Sequence, residues 1–64
     1  MVLIEFKNIK EEVVFVNPEN VIYLTESRNI ENKTYIHFNC CQNDKITKLA
    51  VTGKINEIRK KLEN

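Results

Sequence analysis

The chain has 64 residues, with ten lysines and arginines against nine aspartates and glutamates, a formal net charge of +1. A chain this short forms one domain that buries only about 60% of its unfolded surface and draws roughly 3–5 kcal/mol of net stability from its core. Near-neutral charge argues against a duplex DNA binder, and no apolar run approaches the length of a membrane span.

In chain order, Val2 to Phe6 sets Ile4 and Phe6 against Leu3 and Glu5, which predicts a strand over about 2–6. The opening Met-Val-Leu-Ile-Glu-Phe-Lys lacks the basic start and long apolar stretch of a signal peptide, so the expected location is cytoplasmic. The polar segment Lys7 to Glu11 predicts a turn that pairs this strand with the next, over about 12–16. There Val13-Val14-Phe15-Val16 is four apolar residues in a row, the pattern of a strand covered on both faces or with its second face buried by a partner subunit.

Asn17-Pro18-Glu19-Asn20 follows. Asn17 has the side-chain acceptor of an N-cap and Pro18 the fixed φ and missing N–H of a first helical position, which predicts one tight turn. Val21 to Leu24 then opens a strand over about 21–26. If Ile22 and Leu24 face inward, Tyr23 and Thr25 face outward, because side chains alternate along a strand. The segment from Glu26 to Asn32 is polar except for Ile30 and reads as a hairpin loop too long to be tight, with Ile30 either simply exposed or a partner anchor.

The clearest alternation falls in the strand over about 33–40, with Thr34, Ile36, Phe38 and Cys40 on one side and Tyr35, His37 and Asn39 on the other. Gln42-Asn43-Asp44-Lys45 supplies turn formers before a last strand over about 45–51, antiparallel to its predecessor. Ile46 is out of phase with Leu49 and Val51, which places either a bulge near Thr47 and Lys48 or Ile46 in a separate contact. From Thr52 the period lengthens: Ile55, Ile58 and Leu62 recur at helical spacing, predicting an amphipathic helix over about 53–62 that lies on the sheet. Thr52 is the expected N-cap, and Arg59, Lys60 and Lys61 suit the helix dipole at its end. The expected fold is α+β, a small curved antiparallel sheet or open barrel of about five strands with a C-terminal helix.

Sites of chemistry are sparse. His37, Cys40 and Cys41 have a metal-like spacing, but along a strand His37 and Cys41 lie roughly 13 Å apart, too far for one tetrahedral zinc. Neighbouring cysteines make a strained disulfide, and a cytoplasmic setting disfavours one. Glu11 and Glu12 point to opposite faces, and there is no glycine-rich phosphate loop, so no catalytic residue, metal or cofactor is expected. The most suggestive surface is Tyr23, Tyr35 and His37, outward on adjacent strands, with Arg28 in the loop between them and Arg59 on the helix. Such a set can stack a base and clamp a phosphate, or it can be cross-strand pairing or the core of a subunit interface.

Asn17-Pro18-Glu19-Asn20-Val21, Thr34-Tyr35-Ile36-His37-Phe38, and Val51 followed by Ile55, Glu57 and Ile58 together resemble the small flagellar FlbD-type family associated with swarming motility. The chain also resembles the first half of LytTR domains, in which a Pro-acidic turn precedes an Ile-Tyr-Ile-like strand. It departs from the FlbD-type pattern where Gln42 to Lys45 replaces a Gly-Lys turn and where Lys54 stands in for the Ser of a capping Ser-x-x-Glu. The resemblance implies a small sheet with a helix and no catalytic residues.

The reading that follows is a small non-enzymatic cytoplasmic protein, regulatory or of the phage-inhibitor type. It would act on a protein partner as a homo-oligomer, with Val14, Val16 and Ile30 as candidate interface residues. The alternative is a protein that binds a small nucleotide or other anionic ligand where subunits meet, through Tyr23, Arg28, Tyr35, His37 and Arg59.

Overall fold

The computed structural model describes residues 2–39 and 48–63. Strands β1 (Ile4–Lys7) and β2 (Val13–Val16) form an antiparallel hairpin with Ile4 opposite Val16 and Lys7 opposite Val13. One side chain organises its turn. Asn8 Oδ1 accepts from the backbone N–H groups of Lys10 and Glu12, each at 2.9 Å, while its Nδ2 donates to Glu12 Oε1 at 3.0 Å. These bonds hold Glu11 at φ 66°, a left-handed position that a non-glycine residue adopts only when its neighbours fix it.

The corner after β2 forms as its sequence requires. Asn17 Oδ1 accepts from Glu19 N–H at 3.0 Å, Pro18 fills the first position, and one 3-10 turn (Pro18–Asn20) delivers the chain into the third strand. A second sheet follows, of β3 (Val21–Glu26), β4 (Lys33–Phe38) and β5 (Lys48–Thr52), all antiparallel, with β4 in the centre. An isolated bridge between Asn8 and Val51, reinforced by Thr52 Oγ1 donating to Asn8 C=O at 3.2 Å, fastens the hairpin to β5. The described strands thus make two antiparallel sheets that do not close into a barrel.

The helix α1 (Ile55–Glu63) is amphipathic as its period demands, with Ile58 buried and Ile55 and Leu62 half-buried. It starts later than expected. Thr52 does not cap it, because Thr52 ends β5 opposite Lys33 and spends its hydroxyl on Asn8. Lys54 precedes the helix instead, and Glu57 reaches back to accept from the Lys54 N–H at 3.3 Å, which is half of a capping box. At the other end Lys61 Nζ donates to Glu5 C=O at 2.6 Å and lies 4.7 Å from the centre of the Phe6 ring, tying the helix to β1.

Between these elements sits a small core of Phe6, Val16, Ile36, Val51 and Ile58, rimmed by Ile4, Val14, Val21, Leu24, Phe38, Leu49 and Leu62. Thr34 is buried with them, and its hydroxyl donates to Gly53 C=O at 2.9 Å, so the polar group is satisfied where it is desolvated.

Strand β3 departs from simple alternation. Val21 pairs with Phe38 and Tyr23 with His37, so two steps along β3 match one along β4 and Ile22 is the extra residue of a bulge. Val21 and Leu24 therefore reach the core rim, whereas Ile22 is 58% exposed rather than inward. In β2, Val16 is buried and Val14 half-buried, but Val13 and Phe15 are open to solvent, so the run is not covered on both faces within one chain. Cys40, Cys41, the turn expected over 42–45, and the phase of Ile46 and Thr47 lie outside the described residues. Among the described residues no helix is long and apolar enough to cross a membrane.

Candidate functional site

Strand alternation and register build the outer face of the second sheet. Thr34 and Ile36 go to the core, which turns Lys33, Tyr35 and His37 outward from β4. Register then sets Tyr23 and Lys48 on either side of His37, Thr25 and Ala50 on either side of Tyr35, and Thr52 beside Lys33. No acidic residue occupies any of these positions.

The aromatic groups form a cluster. The rings of Tyr23 and His37 stack with centroids 4.3 Å apart at 26°, and Tyr35 lies 6.5 Å from His37 in a tilted arrangement. Thr25 Oγ1 and His37 Nε2 are hydrogen-bonded at 2.9 Å, either group donating according to the imidazole tautomer, and this bond fixes the ring plane. Lys33 Nζ and Lys48 Nζ approach the Tyr35 ring to 5.0 and 4.8 Å, within cation–π range. Ala50, the smallest side chain on the face, stands opposite Tyr35 on β5, and Tyr35 is half-buried.

The structure thus brings Tyr23, Tyr35 and His37 together, as their alternation predicts. Arg28 is exposed on the 27–32 loop. Arg59 is on α1, where its guanidinium meets Glu63 at 3.3 Å, and it shares with Tyr23 a groove of about 410 Å³ between the helix and β3, walled also by Val21, Ile22, Leu24, Ile55 and Leu62. The cations over the Tyr35 ring are Lys33 and Lys48. Lys33 was legible from the sequence, since it shares the odd-numbered face of Tyr35 and His37; Lys48 needs the β4–β5 register, which the turn residues do not specify.

Two of the interface candidates point the other way. Val16 is in the core and Val14 packs against it, because Phe6 and Ile4 stand opposite them on the buried side of the hairpin. The solvent side of β2 carries Val13, 51% exposed, and Phe15, 61% exposed. Ile30 is exposed and borders a shallow pocket of about 320 Å³ with Glu26, Lys33, Lys54 and Ile55.

Acid–base or nucleophilic chemistry finds no constellation among the described residues. Glu12 is engaged by Asn8, Glu11 sits at the exposed turn, and His37 has a hydroxyl and aromatic rings for neighbours. No group of His, Cys, Asp or Glu among the described residues is placed to hold a metal ion. Comparison of the chain with protein-family models, with curated proteins and with solved structures returned no match.

Proposed function

We propose that this protein is a small non-enzymatic interaction module of the cytoplasm, regulatory or of the phage-inhibitor type, that acts on a protein partner as a homo-oligomer. One observation carries the reading: the outward side chains of β2, Val13 and Phe15, are open to solvent on a strand whose second edge has no hydrogen-bonded neighbour among the described strands. An apolar edge of this kind is a template for pairing, and natural proteins ordinarily blunt it with charge or proline unless it is used. Of the eight exposed large apolar side chains among the described residues, Ile9, Val13 and Phe15 lie in this hairpin and Val2 and Leu3 just ahead of it. The core among the described residues is small, which gives the chain a second reason to bury this surface.

Self-association through β2 predicts a specific double variant. Phe15 stands opposite Glu5 and Val13 opposite Lys7, so Val13→Glu with Phe15→Lys creates two opposite-charge pairs across the hairpin, worth about 0.2–1 kcal/mol each. The hairpin should keep its fold while its apolar edge becomes charged. Light scattering at high micromolar concentration should give at least twice the 7.6 kDa chain mass for the native protein and the single-chain mass for the double variant. A native protein at 7.6 kDa, or a double variant that stays oligomeric, rejects this interface.

A further inference from the structure

We propose that the outer face of the β3–β4–β5 sheet binds single-stranded nucleic acid, with bases stacking on Tyr23 and Tyr35 and backbone phosphates held by Lys33 and Lys48. The proposal is independent of self-association, which uses the opposite end of the molecule's sequence and the other sheet.

Three features of the face argue for this ligand. Tyr23 on β3 stacks on His37 of β4 at 4.3 Å and Tyr35 of β4 lies 6.5 Å from His37, so three rings make one contiguous aromatic cluster, and every base offers a π face to its outer surfaces. Lys33 Nζ from the same strand and Lys48 Nζ from β5 both lie over the Tyr35 ring, so a base that takes their place there has its phosphates within reach of both. With no carboxylate among the described outward positions that the register of β3, β4 and β5 defines, Lys33 and Lys48 make those positions locally positive although the chain as a whole is near neutral. That combination favours a strand with accessible bases. A duplex hides its π faces and requires a broader basic surface than two lysines provide, and the open sheet has no walls to enclose a lone mononucleotide. Tyr23 is 54% exposed, an uncommon state for a ring whose only role is to pair across strands.

The His37 bond to Thr25 has a part in this reading. It holds the imidazole within 26° of the Tyr23 ring plane, so the two rings act as one stacked unit rather than two mobile side chains. Ala50 puts no bulky side chain opposite Tyr35, so the flexible Lys33 and Lys48 chains are what a base there displaces.

The test is fluorescence anisotropy of labelled eight-nucleotide strands, oligo-U and oligo-A RNA and oligo-dT DNA, titrated with the native chain, with a mononucleotide and a duplex of equal length as separate arms. Saturable binding of either kind of single strand is expected. Preference between the RNA and DNA arms identifies the source of the strand, and binding of both supports the proposal equally. Two phosphate contacts predict that affinity falls about sevenfold between 50 and 200 mM salt. Tyr35→Leu, which keeps a strand-compatible side chain but removes the ring, should weaken binding on the order of 10- to 100-fold, while Tyr35→Phe should retain most of it. Lys48→Gln should weaken binding and flatten the salt dependence. Circular dichroism of each variant verifies the fold, and Lys48→Gln, at an exposed position, keeps the test decisive if Tyr35→Leu unfolds. No binding of any single strand up to 100 μM, about the weak limit of sequence-independent binding, overturns the proposal. So does binding confined to the duplex or the mononucleotide, or binding unchanged in both Tyr35→Leu and Lys48→Gln.

Discussion

Ile36→Ala should abolish cooperative unfolding at room temperature. Ile36 is fully buried at the centre of β4, with Leu24 and Leu49 as its cross-strand neighbours on the core side. Removing three carbons there loses their transfer free energy and opens a cavity between two strands that cannot close on it, a cost of about 2–5 kcal/mol. The core of a domain of this size supplies roughly 3–5 kcal/mol in total, so the deletion consumes most or all of it. Ile36→Val, at about 0.5–1.5 kcal/mol, should remain folded with a lower melting temperature. Thermal and urea denaturation followed by circular dichroism separates the two. A cooperative transition in Ile36→Ala within a few degrees of the native one would mean that the core is not where the chain's stability resides.

The second large effect is expected at Gly53, the only glycine in the chain. It joins β5 to α1 at φ 132°, a backbone state that L side chains rarely adopt. Its amide donates to Asn32 C=O at 2.7 Å and its carbonyl accepts from Thr34 Oγ1 at 2.9 Å, so the junction is held from both sides and cannot relax by turning. A Cβ would also meet Ile58 Cδ1 at 3.1 Å, in the core. Gly53→Ala therefore carries about 1–3 kcal/mol of backbone strain, with crowding in addition. The measurable result is a urea midpoint lowered by a third or more of its native value. A synthetic chain with D-alanine at this position, for which φ 132° mirrors an ordinary extended value, should recover the strain portion. An unchanged midpoint in Gly53→Ala would show that the β5–α1 junction is free to rearrange.

Where local chemistry decides, the sequence was readable. Asn17 and Pro18 fix their corner through a side-chain acceptor and a locked φ, and neither depends on distant residues. In β4 the polar and apolar residues alternate without ambiguity, so Thr34 and Ile36 fell on the core side and Tyr35 and His37 on the other. Helical spacing of Ile55, Ile58 and Leu62 was equally plain. Ambiguity entered where every residue of a run is apolar. Val21-Ile22-Tyr23-Leu24 fits either phase, and the bulge that exposes Ile22 is set by pairing with β4, which no residue of β3 announces. Val13 to Val16 misled for the same reason, since four apolar residues do not state which pair meets the core; the pairing of Val14 with Phe6 and Val16 with Ile4 decides it. Thr52 has the chemistry of a cap but is claimed by the bridge to Asn8, a contact 44 residues away in sequence.

For the site, the aromatic members were readable because alternation alone places them. A guanidinium suits phosphate, but Arg28 lies on a loop, and Arg59 meets Glu63 in the helix groove that Tyr23 also lines. Lysines reach the Tyr35 ring, Lys48 through strand register.

Hydrogen exchange of the β2 amides, followed by NMR at two protein concentrations, tests the central claim at its location. An outer strand of an antiparallel pair directs alternate N–H groups away from its only partner, and in a lone chain those amides exchange rapidly. If Val13 to Val16 pairs with a second copy, the outward amides of β2 should gain protection as concentration rises from about 10 μM to 1 mM, while amides of the central strand β4 already bonded within the chain change far less. Protection in β2 that is low and independent of concentration, in a protein whose β4 is well protected, would contradict self-association through this strand.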